Sequence, residues 1–325
     1  MKRIITLLTV AFALTTSITQ AQQDVQYSMY MNNNYALNPA AGGTEDYVDI
    51  KASVRRQWTD IIGSPKTIYL TAHSPIGKFK GKPHPIRDKY RNFSSVGGIA
   101  YNDQTGPISR NGILLSYGYN MSLSRLFRIS VAAAVGFQQF NLDVAALQFH
   151  DPGETFASRT SGFMPDARLG VWAYNTHVYF GAAASQLTQQ NLPYSLDNQG
   201  NPTEKSPFKR LANHYYITGG IRIPMYYDFT LIPSIMLKYN TPAPLSIDLN
   251  AKLKYQDLIW VGASYRNLDS FIGMVGLTIN KWIDVGYAYD ATVSRLSGYA
   301  HGTHEIMVGV RLKPRSQLIC PSNFW

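Results

Sequence analysis

The sequence predicts an all-β chain that closes into a transmembrane antiparallel barrel of about fourteen strands, with an irregular N-terminal segment that would plug the lumen. Three observations carry this. Residues 245–255, LSIDLNAKLKY, alternate apolar and polar side chains without a slip, and only a strand has period two. At roughly 3.3 Å per residue they extend about 36 Å, which a tilt near 45° reduces to about 25 Å, the height of an outer-membrane apolar band. Soluble strands average about five or six residues, so an amphipathic strand of a soluble sheet is the poorer match. Second, only 15% of residues are charged, yet no run of eighteen apolar residues follows the N-terminal leader. That excludes a helical membrane protein and permits a barrel, whose polar lumen residues dilute the hydropathy of every strand. Third, the 22 Tyr, 14 Phe and 5 Trp suit a wall that meets lipid headgroups at two interfaces.

The chain begins with an address. Met1, Lys2 and Arg3 form a basic start, residues 4–14 an apolar stretch too short to span, and Ala21 a small residue suited to signal peptidase, so residues 1–21 read as a signal peptide. Residues 22–325 then form a single outer-membrane barrel domain: an N-terminal segment at 22–43, strands within 47–312 and a tail at 313–325. The segment at 22–43 has no sustained period and closes on Pro39, Gly42 and Gly43, so it is irregular chain. The first strand, 47–58, sets Val48, Ile50, Ala52 and Val54 against Asp49, Lys51, Ser53 and Arg55. The second covers 66–74. Others are expected at 95–103, 111–121, 127–141, 166–174, 177–185, 214–223, 229–239, 245–255, 258–265, 271–279, 283–289 and 304–312.

Loop lengths test the count. If both ends of the barrel lie in the periplasm, even-numbered strands should end in short turns and odd-numbered strands in longer loops. Residues 122–126, 175–176, 224–228, 256–257 and 280–281 are brief, and 142–165, 186–213 and 290–303 are long. One connection breaks the rule. Residues 75–92 carry Lys78, Lys80, Lys82, Arg87, Lys89 and Arg91 against Asp88 and would face the periplasm, either as a solvated loop or as a contact for a soluble or lipoprotein partner. The net charge of +10 comes without a nucleic-acid-binding motif to direct it, and the single Cys320 forms no internal disulfide. No repeat of solenoid type is present.

Catalytic patterns are weak. His301 and His304 lack further ligands at metal spacing, because Glu305 on a strand points away from His304. Ser264 and His214 suggest a hydrolase pair only by type, and no nucleophile elbow or phosphate loop occurs. We therefore expect no enzyme activity, cofactor or metal.

The residues also carry a resemblance. Gln23-Asp24-Val25-Gln26-Tyr27-Ser28-Met29-Tyr30-Met31, followed by Asn38-Pro39-Ala40-Ala41-Gly42, resembles the opening of the PorP/SprF family of Bacteroidetes, which runs roughly QDPQFSQYM and then NPAxAG. Arg55-Arg56-Gln57-Trp58 is similar to the family's RxQW, and Gly63-Ser64-Pro65, His73-Ser74-Pro75 and Asn102-Asp103 with Gly106-Pro107 continue it. The match is dense over 22–121 and general afterwards; the chain departs at Val25, where the family has Pro, and over 32–35. The resemblance implies a non-enzymatic outer-membrane component of the type IX secretion or gliding machinery. It would dock the C-terminal sorting domain of a secreted adhesin, or link the periplasmic ring or its lipoproteins to the membrane. Beyond outer-membrane lipid and these components no partner is expected, nucleic acid included. Candidate contacts are Gln26, Tyr27, Tyr30, Asn38, Pro39, Arg55, Trp58, Lys78, Lys80 and Lys82. Asn38-Pro39 reads first as an ordinary turn before the first strand and only then as a direct contact, and Arg55 and Gln57 read first as a structural polar network of the lumen. A porin-like channel for small solutes is the alternative function.

Overall fold

The computed structural model describes residues 25–77, 92–124, 127–143, 160–188, 211–240, 243–267, 269–280, 282–294, 298 and 301–312. The expected signal peptide, the basic loop with Lys78, Lys80 and Lys82, and the C-terminal tail with Cys320 lie outside them. Fifteen strand segments run in order: β1 Val48–Arg56, β2 Lys66–Ile76, β3 Phe93–Thr105, β4 Ile108–Ser122, β5 Arg128–Leu142, β6 Thr160–Tyr174, β7 Val178–Ser185, β8 His214–Ile221, β9 Ile223–Pro224, β10 Phe229–Asn240, β11 Ser246–Tyr255, β12 Ile259–Arg266, β13 Ser270–Ile279, β14 Ile283–Thr292 and β15 Thr303–Leu312. Each pairs antiparallel with its neighbour in sequence, β8 and β9 both with β10, and β15 returns to β1, with Val48 opposite Leu312 and Arg56 opposite His304. The sheet has no free edge, and among the described residues no helix is long and apolar enough to cross a membrane.

β8 and β9 are one strand with a lapse at Arg222, which makes fourteen staves. The lapse has a cause in the partner. The register that pairs Ser234 with Gly220 and Leu231 with Ile223 sets Pro233 against Ile221, and proline has no N–H for the ladder. The fourteen expected strands are all present, several of them longer than periodicity suggested. The sixth begins at Thr160 rather than 166, because Pro165 sits where β6 pairs only with β5 and its missing donor costs no bond to β7. β3 and β4 meet in a two-residue turn at Gly106 and Pro107, so the long-loop end of the barrel also has a tight hairpin.

At the other end the turns are short, save the connection between β2 and β3. Gln256 and Asp257 both have positive φ, 48° and 54°, as a type I′ turn requires, and the Leu258 N–H closes it on the Tyr255 carbonyl at 2.9 Å. That end holds the start of β1 and the finish of β15, so by the usual asymmetry of these barrels it faces the periplasm and the long loops face outward.

Side chains follow the alternation with the soluble-protein order reversed. In β11, Asp248, Asn250, Lys252 and Lys254 are buried, while Leu249 is 51% exposed. In β1, Asp49, Lys51, Ser53 and Arg55 are buried and Val54 is exposed. An exposed aliphatic wall around a charged interior is stable only with lipid outside. Tyr239, Tyr265, Phe271, Tyr287 and Tyr289 ring the outer face near the loop end; Tyr117, Tyr119, Phe180, Tyr255 and Trp282 ring it near the turn end. These are the two interfacial girdles.

Candidate functional site

The lumen is occupied by the chain's own N-terminal segment. From Val25 to Tyr47 only Gln26 is less than fully buried. The segment folds as three single turns of 3-10 helix, Tyr30–Asn32, Asn34–Ala36 and Pro39–Ala41, and several of its polar groups bond to inward side chains of the wall. The turns pair backbone groups within the segment, as Asn33 N–H to Tyr30 O and Gly42 N–H to Pro39 O do, and the side chains are left to reach the wall.

At the loop end the segment meets an ionic knot. The Ser28 amide donates to Glu305 Oε2 at 2.7 Å and its hydroxyl to Asp290 Oδ2 at 2.6 Å. Arg55 lies between, with Nη2 2.9 Å from Asp290 and Nε 3.1 Å from the Ser28 hydroxyl. Ser53 completes it by donating to Glu305 at 2.9 Å. Two carboxylates on β14 and β15 thus share one guanidinium from β1 and one serine from the segment.

Further in, Tyr27 packs edge-on against Tyr69 at 4.7 Å, and the Tyr30 hydroxyl accepts from Asn250 at 2.5 Å. Lys252 donates to Asn32 at 2.8 Å and Asn33 donates to Thr71 at 2.9 Å. Tyr35 shares a hydrogen bond of 2.6 Å with Ser116; burial pushes its phenol up to about 12, so it stays neutral. Asn38 does two jobs. Its Oδ1 accepts from the Ala40 amide, capping the turn that Pro39 opens, and its Nδ2 donates to the carbonyls of Val171 and Ala182 at 3.0 and 3.2 Å. The plain turn expected at Asn38-Pro39 is made, and the same side chain ties that turn to the wall.

Wall glycines make the room. A Cβ on Gly170 would lie 2.0 Å from Asn38 Oδ1, one on Gly286 2.3 Å from Met29 Cε and one on Gly97 2.5 Å from the Tyr35 hydroxyl. Apolar patches match as well: Met29 and Met31 lie against Trp260, Ile272, Met274 and Met307, and Ala40 and Ala41 against Trp172 and Tyr179.

The segment enters the wall at the turn end, where Glu45, Asp49 and His73 bring three potential ligand atoms within 4.8 Å of one another. Protein donors already use them: Gly43 N–H to His73 Nδ1 at 3.2 Å, Lys51 to Asp49 at 2.6 Å and Thr44 to Glu45 at 3.0 Å. Sequence spacing gave no hint of this cluster, because its members come from the segment, β1 and β2.

Of the expected contact residues, Tyr27, Tyr30, Asn38, Pro39 and Arg55 hold the segment inside the barrel. Gln26 and Trp58 line a cleft of about 330 Å³ at the loop end, with Leu37, Tyr216, Lys238, Leu245, Asp248, Arg266 and Asp269. Arg266 organises it, reaching Asp248 at 3.1 Å, Asp269 at 3.3 Å and Gln26 Oε1 at 3.3 Å. Sequence reading missed Arg266 and Asp269; inward alternation in β12 was the available signal for Arg266, while Asp269 lies in the turn after it. Trp58 holds a left-handed backbone, φ 45°, and with its amide turned to suit both groups Gln57 accepts from Arg55. Ser264 and His214 sit on β12 and β8, and His214 is bonded to Asn240 at 3.0 Å.

No curated protein matches the sequence. Among solved structures the chain is similar to the outer membrane protein Omp33 of Acinetobacter baumannii, at 9% identity and TM-score 0.46, covering 83% of this chain and 100% of that one. It is also similar to the KdgM porin, at 12% and 0.36, covering 81% and 98%, and to BamA from Haemophilus ducreyi, at 8% and 0.41, covering 82% and 71%. The decisive comparison is with a family: residues 19–310 match the type IX secretion system membrane protein PorP/SprF, and the chain belongs to that family.

Proposed function

We propose that this protein is a docking component of type IX secretion that holds a partner rather than conducting one. One observation carries the reading: the segment from Val25 to Tyr47 fills the bore and is fastened to the wall by hydrogen bonds to β1, β2, β4, β6, β7, β11, β14 and β15. A folded cargo has no path through such a lumen, and a porin-like role would need the segment to leave. The outward cleft around Gln26, Trp58, Arg266 and Asp269 then serves as the receiving surface for the C-terminal sorting domain of a secreted adhesin. An aromatic flanked by charges at an exposed mouth suits such a partner. Linkage to the periplasmic ring would instead run through the basic loop with Lys78, Lys80 and Lys82.

The test is capture of an adhesin sorting domain by the purified barrel, with single-channel conductance recorded on the same preparation. The expected result is capture without porin-scale conductance, and capture reduced at least tenfold by combined Gln26→Ala and Trp58→Ala. Open-pore conductance in the unaltered protein would refute docking. Capture that survives the cleft variant but is lost on replacing Lys78, Lys80 and Lys82 with Ala would move the contact to the periplasmic face.

A further inference from the structure

On the outer wall, near the loop end, Arg56 of β1 and Lys66 of β2 stand directly opposite each other across the ladder. Like charges in that position repel. Among the described residues neither is ion-paired, and both line an outward cleft of about 470 Å³ with Thr59, Ser64 and Gln104. The carboxylate in the same cleft, Asp60, contacts the His301 ring rather than either cation. The arrangement therefore presents two cations to whatever fills the cleft.

What lies beneath them is informative. The ladders set Val54, Ile68, Asn102, Asn111 and Gln139 in the next outward row, where Asn102 donates to Asn111 at 2.5 Å. Below that row Ala52 and Ala100 are the low floor between Leu70, Ile113 and Phe137, part of an apolar trough of about 1270 Å³ on the outer face. From rim to midplane this strip reads cations, then a mixed row in which Val54 and Ile68 lie under the cations and the three amides lie beside them on β3, β4 and β5, then hydrocarbon.

We infer that Arg56, Lys66 and the trough below them form a binding site for a phosphorylated, multiply acylated glycolipid of the outer leaflet, that is, for lipid A. The phosphate sits between the two cations and relieves their repulsion, the amides meet the sugar, and acyl chains lie in the trough. The ligand follows from charge complementarity at one end and shape at the other. The inference uses the outer-membrane location and stands apart from the docking role.

Protein extracted from outer membranes and exchanged into fresh detergent should retain lipid A, read by native mass spectrometry. R56Q/K66Q should retain roughly tenfold less or lower, given two lost surface cations. Ala100→Phe, which fills the trough and leaves both charges, should also weaken retention, and it serves if the double variant does not fold as judged by heat-modifiable migration. Absence of lipid A from the unaltered protein would overturn the site, as would equal retention by folded R56Q/K66Q. Displacement of lipid A by millimolar inorganic phosphate, or equal retention of phosphatidylglycerol added in mixed micelles, would also overturn it, by marking a general anion surface.

Discussion

The two ends of the lumen are unlike. At the turn end the segment runs into β1, Tyr47 lies against Arg311 with 5.6 Å between ring centre and guanidinium, and the space left among Asn32, Lys51, Lys254 and Trp260 is only about 20 Å³. At the loop end the cleft is about 330 Å³, Gln26 and Trp58 are half-buried, and Asp269, paired with the buried Arg266, is partly exposed. A single fastened segment therefore makes a vessel closed below and open above. The closed end is set by covalent continuity with β1, while the open end leaves a surface for another molecule.

The sharpest way to break this comparison is to remove the stopper. Deleting residues 25–43 should convert a non-conducting barrel into one with porin-scale conductance in planar bilayers. If the intact protein conducts equally, the closed end is not closed. Next in size is Arg55→Ala, which strands Asp290 and Glu305 as buried carboxylates without their shared cation. A loss of about 3–5 kcal/mol is expected in reversible urea unfolding. Arg311→Ala, whose side chain is 15% exposed and pairs with Asp284 at 2.7 Å, should cost less, so an equal loss would erase the contrast between the ends. Asn38→Ala removes one cap and two wall hydrogen bonds and should cost about 1–3 kcal/mol, with faster hydrogen exchange at the amides of residues 40–42. The smallest effect belongs to Trp58→Gly. Relief of the left-handed backbone should leave stability unchanged or raised by about 1 kcal/mol, while adhesin capture falls. A large loss of stability would make Trp58 a structural wedge instead of part of the receiving surface.

Most of the wall was legible. Leu249 outward and Asp248 inward follow from period two and need no coordinates. Strand ends were less so: the long loop expected at 142–165 takes in Thr160 to Pro165, which the structure gives to β6, and the absence of a β7 partner at that height makes Pro165 harmless. Inward apolar residues were the least readable. Trp260, Met274 and Met307 point into a lumen that alternation alone predicts to be polar, and they make sense only because Met29 and Met31 cover them. The same holds for Gly170, which in sequence is one more strand glycine and in space is the seat of Asn38.

Local pattern was enough to determined the class of solvent on each side of the strands, because side-chain direction along a strand is fixed by backbone geometry within a few residues. It determined the number of staves for the same reason. Which inward charges meet, where the segment rests and which end stays open depended on closure of the ring, since Arg55, Ser28, Asp290 and Glu305 become neighbours only when the last strand pairs with the first. Contacts separated by more than two hundred residues leave no periodic trace; the tertiary structure alone decides them.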